Sequence, residues 1–65
     1  MTSKYAAHEV RLSDGNVLRM AVVTVVDGEV AGCHCLQGEE PMTQWIGGTI
    51  VVKDCIALHE GQILR

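Results

Sequence analysis

An Asp27-Gly28 pair lies between two runs of β-branched and apolar residues, Met20 to Val26 before it and Val30-Ala31-Gly32 after it. Asp-Gly in that setting is a hairpin signal, because a type I′ turn needs positive φ at both central residues and glycine adopts it freely. A second pair, Asp14-Gly15, separates Val10-Arg11-Leu12 from Val17-Leu18. Two turns so close together leave room for strands and for little else. The expected fold is therefore all-β, a small antiparallel meander of four or five strands in a single domain spanning residues 1–65.

Strand periodicity supports this. From Tyr5 to Leu12, Ala6, His8, Val10 and Leu12 fall on one face and Ala7, Glu9 and Arg11 on the other, the two-residue period of a half-buried strand. Val17 to Val26 is the longest strand candidate, and its second half is apolar on both faces, as a strand covered from two sides would be. Glu29 to Leu36 reads as a third strand, with Gly32 placed for a bulge. Gln37 to Gln44 carries loop residues, and Thr49 to Lys53 is a β-branched fourth strand. Beyond it, Cys55 to Leu58 and Gln62 to Leu64 read as a small hairpin around His59-Glu60-Gly61, with a short helix as the alternative.

Nearly half of the 65 residues are apolar, yet the chain has one Trp, one Tyr and no Phe. Small aliphatic side chains make a thin core, and one short chain has little material for covering both faces of the second strand. A partner chain would supply the cover. The expected assembly is a homodimer, with Val22, Val23, Val25 and Trp45 at the interface and the sheets stacked face to face; an unidentified protein partner is the other candidate. As the largest apolar side chain, Trp45 is expected to be buried by its own sheet or by a second chain.

Charge narrows the function further. The net charge is −3, and the five basic residues, Lys4, Arg11, Arg19, Lys53 and Arg65, are scattered along the sequence. That gives no footprint for a phosphate backbone, and two aromatics make no stacking platform, so nucleic-acid binding is not expected. No apolar run approaches the ~20 residues of a membrane span, and no signal-peptide pattern follows Met1. The expected location is the cytoplasm, with Cys33, Cys35 and Cys55 reduced.

The cysteines nevertheless offer an alternative. Cys33 and Cys35 would project from the same side of a strand, and Cys55 with His59 or His8 could complete a tetrahedral zinc site. Against it, zinc knuckles usually aim two sulfurs at one point from a turn, whereas a strand holds them parallel. Cysteine also packs as a small apolar residue. No cofactor is expected on the main reading. No serine sits beside a base and an orienting group, and the Glu39-Glu40 pair before Pro41 reads as solvated loop charge, so the chain is not expected to be an enzyme.

His8, Val22-Val23, Gly28, Val30, Leu36, Glu39, Thr43, Trp45, Gly47-Gly48 and Ile50 together form a spaced pattern. It resembles a group of short proteins of Bacteroides-type bacteria that share Val-Val, Gly-x-Val, Leu-x-x-Glu and Thr-x-Trp-x-Gly-Gly-x-Ile. That resemblance names no activity. Residues 21–32 and 48–52 are also similar to the β-rich composite domain of amidohydrolases, which implies an accessory β module. The chain departs from that family at Lys53-Asp54-Cys55, where the family continues into Pro-Gly and a His-x-His metal pair.

Overall fold

In a computed structural model that describes residues 1–38 and 40–65, the described residues form seven strands and no helix. They are β1 (Thr2–Arg11), β2 (Val17–Val26), β3 (Glu29–Cys35), β4 (Thr43–Trp45), β5 (Thr49–Lys53), β6 (Ile56–His59) and β7 (Gln62–Ile63). The all-β fold and its hairpins are those the turn signals predict. Asp27 and Gly28, at φ 51° and 84°, join β2 to β3 with Val26 opposite Glu29, the two-residue turn expected. The first hairpin closes through Ser13-Asp14-Gly15: the Gly15 N–H donates to the Leu12 carbonyl at 3.1 Å and the Leu12 N–H to the Asn16 carbonyl at 2.8 Å. Gly15 takes φ 93°, which a three-residue hairpin loop requires at that position.

The sheet differs from the expected meander of four or five strands in two respects. It has seven strands, with β4 starting inside the stretch read as loop, and β1 takes parallel neighbours. β1 pairs antiparallel with β2 on one edge, but its other edge takes β4 and then β5, both parallel. Lys4 to Ala6 face Thr43 to Trp45, and Glu9 to Arg11 face Thr49 to Val51. β4 and β5 thus form one strand interrupted by Ile46-Gly47-Gly48, whose backbone is still tied to β1 by Ile46 N–H to Ala6 carbonyl at 2.9 Å and Glu9 N–H to Gly48 carbonyl at 3.1 Å. The tail is strand, not helix: β5, β6 and β7 make two further tight hairpins.

β1 and β2 each pass through a corner. Met20 has φ 50° within β2, and the inward side switches there. Before the corner Tyr5 and Ala7 of β1 join the core, after it Val10 and Leu12; in β2, Ala21, Val23 and Val25 face inward on one side of it and Leu18 on the other. The sheet therefore folds into two halves that share one core, with bends at the strands that pass between them. The Val30 N–H donates to the Cys55 carbonyl at 2.7 Å, joining β3 of the first half to the β5–β6 turn of the second.

That corner corrects the placement of His8. A straight strand would put it on the apolar face with Val10; instead it is exposed, because the inward side changes at its level. Closure also alters the account of β2. Val23 and Val25 lie in the shared core and Val22 is buried on the opposite face, all within one chain. The chain exposes 4373 Å², close to the ~4000 Å² typical of a globular monomer of this mass. Of β2, Val17, Met20 and Val26 stay exposed. Gly32 does mark a bulge: Thr24 faces Gly32 while Val25 faces Val30, which leaves Ala31 as the extra residue.

Candidate functional site: a groove walled by Trp45

On the outer face of the first half-sheet, strand register places His34, Val22, Ala6 and Trp45 side by side across β3, β2, β1 and β4. Leu36, Glu40 and Pro41 stand opposite this row. Between them runs an open groove of about 530 Å³, lined by Ala6, Leu36, Glu40, Pro41, Thr43 and Trp45. A small side chain at Ala6 is what keeps the floor low. Trp45 is 48% exposed, so its own sheet covers only half of it.

Glu40 closes the far side of the groove. Both of its oxygens lie 3.0 Å from His34 Nε2. This hydrogen bond holds the Glu40 carboxyl below its ordinary value, against an opposing effect of desolvation; the Gln37 N–H and the charges of His34 and Lys4 add to the lowering. The carboxylate is therefore ionised at neutral pH. Of the Glu39-Glu40 pair, Glu39 lies outside the described residues, and Glu40 is partly covered rather than solvated.

Trp45 is held from behind by two glycines and two histidines. Gly47 and Gly48 take φ 67° and 65°, a left-handed backbone that other residues adopt only at a cost. The turn they make leaves the Gly48 N–H to donate to His8 Nδ1 at 3.1 Å, while His59 Nε2–H donates to the Gly47 carbonyl at 3.1 Å. These partners place the proton of each neutral imidazole on Nε2. The His8 ring then meets the Trp45 indole edge to face, with centroids 4.9 Å apart and planes at 78°. A residue of β1 and a residue of β6 thus fix the loop between β4 and β5.

The cysteines are all free, Cys33 half-buried on β3, Cys35 and Cys55 exposed. Cys55 occupies the β5–β6 turn, and its backbone meets Val30. His59 and His8 are engaged with Gly47 and Gly48. Among the described residues no group of three His, Cys, Asp or Glu side chains is placed to hold a metal ion. Each histidine is bonded to backbone or to Glu40, and none of these bonds reaches a serine or cysteine. What sequence reasoning missed here is the pairing of His8 and His59 through Gly47-Gly48; the double glycine after Trp45 is the one signal of it.

Among the described residues no helix is long and apolar enough to cross a membrane. Comparison of the chain with protein-family models, with curated proteins and with solved structures finds no match.

Proposed function

We propose that the chain is a non-enzymatic interaction module that self-associates or docks on another protein through the Trp45 groove. The observation that carries this reading is the half-exposed indole on a rigid mount. An aromatic held by backbone hydrogen bonds and an edge-to-face contact loses little freedom on binding, and exposed aromatics of this kind are frequent interface anchors. The groove is shallow and open, which suits a protruding side chain of a partner better than an enclosed small molecule.

Two measurements test it together. Tagged protein should retain a partner from native lysate, untagged copies of the chain included, and Trp45→Ser should lose that partner while keeping its amide spectrum dispersed. In the wild type the Trp45 indole N–H resonance should shift when the partner is added. Retention that survives the substitution, or an indole resonance that stays in place in the complex, would overturn the reading.

A further inference from the structure

The outer face of the second half-sheet exposes aliphatic side chains. Strand register sets Val17, Arg11, Val51, Leu58 and Ile63 side by side across β2, β1, β5, β6 and β7. Residues directly opposite in neighbouring strands project to the same side, and at ~4.8 Å per strand the row is about 19 Å long. Val17, Val51 and Ile63 are 49%, 39% and 50% exposed. Val22, which points outward on the first half-sheet, is 0% exposed. Single exposed aliphatics are ordinary, but Val51, Leu58 and Ile63 on three adjacent strands, with Val17 beyond Arg11, make a patch.

The charges on this face are mainly basic. Arg11 stands in the row. Arg19 and Lys53 flank it, each two residues along its strand from Val17 and Val51 and therefore on the same side. The carboxylate among these outward positions is Glu9, which accepts a hydrogen bond from Arg11 Nε at 3.2 Å. Three of the five basic residues of a chain with net charge −3 thus gather on one face, although they are scattered in the sequence.

We infer that this face docks an acidic amphipathic segment of another protein, with aliphatic side chains along the row and carboxylates reaching Arg19 and Lys53. A second copy stacked on it face to face would set cations against cations. A nucleic acid would strand the aliphatic groups against phosphates. The inference rests on the reading of the chain as an interaction module, but it uses a different face from the Trp45 groove.

The test uses a synthetic helical peptide of about thirteen residues, long enough to span ~19 Å. Leucines occupy one stripe of it and glutamates flank them. Titrated into ¹⁵N-labelled full chain, it should bind with micromolar affinity and move the amide resonances of Val17, Val51, Leu58 and Ile63. The double substitution Arg19→Glu with Lys53→Glu, at exposed positions, should weaken binding at least tenfold with the spectrum otherwise preserved. A peptide with lysines for glutamates should not bind. The inference is overturned by no shifts at millimolar peptide, by equal binding of the lysine peptide, or by sedimentation with phosphatidylserine vesicles in place of peptide binding. Shifts confined to Leu36, Thr43 and Trp45 would also overturn it, while leaving the groove reading intact.

Discussion

Cys55 sits at φ 63° in the two-residue turn between Lys53 and Ile56, where glycine or asparagine would be at ease. A side chain in that conformation costs about 1–2 kcal/mol, while glycine loosens the unfolded chain by about 0.4–1 kcal/mol. Cys55→Gly should therefore stabilise the protein by about 0.5 kcal/mol, read as a higher urea midpoint with an unchanged slope. At Gly48 the balance runs the other way. An added Cβ would lie 3.4 Å from His59 Nε2 on a backbone at φ 65°, so Gly48→Ala should cost about 1–2 kcal/mol. It should also disturb the hydrogen bond from His59 to Gly47, which the His59 ring resonances would register. Truncating a fully buried aromatic costs about 3–5 kcal/mol. Trp45 is half-exposed, so Trp45→Ala should cost about half of that, and its fluorescence should lie between buried and solvent-exposed emission.

At the scale of elements, Glu40 is tied to His34 of β3. The Glu40 carboxyl is lowered in the folded state from an ordinary value of 4.5. A group lowered on folding contributes stability above its unfolded value and loses it as the pH falls through the folded one. The melting temperature of wild-type protein should accordingly exceed that of Glu40→Gln at pH 6, and the difference should shrink as the pH is taken from 5 toward 3. A difference that is flat over that range would mean the ion pair contributes nothing. A loop after β3 was legible from Gln37 onward, but Thr43 and Gln44, read as part of it, belong to β4, which pairs with β1. The Glu40 anchor was not legible. His34 and Glu40 are joined only because the chain turns back over β3, and no periodicity records that.

For the whole molecule, the pairing of β1 with β4 and β5 joins residues from the two ends of the chain, Lys4 with Thr43 and Arg11 with Val51. Non-local pairing of this kind must close long loops before it gains contacts, so folding should take milliseconds to seconds, as stopped-flow fluorescence of Trp45 can measure. Val22, Val23 and Val25 of β2 are buried within the chain, so folding should not depend on association. The melting temperature should stay constant across dilute protein concentrations, and any association through the Trp45 groove should join chains already folded. A melting temperature that climbs with concentration at micromolar levels would show that folding and association are linked after all.

Local chemistry in the sequence determined the hairpins. Asp14-Gly15 and Asp27-Gly28 carry their turn conformations in their own backbone preferences, and β-branched runs such as Thr49 to Val52 carry theirs, so those elements follow from neighbours in the chain. The corner at His8 and Met20, the parallel docking of β4 and β5 on β1, and the gathering of Arg11, Arg19 and Lys53 on one face do not. Each depends on which strand lies beside which, a choice set by how thin aliphatic faces can be closed around one core. That closure decided that Val22, Val23 and Val25 are covered from within, that Trp45 and the aliphatic row remain in solvent, and that His8 and His59 meet across a pair of glycines. Residue identity fixed the turns; strand adjacency, which only the folded chain possesses, fixed the surfaces available for function.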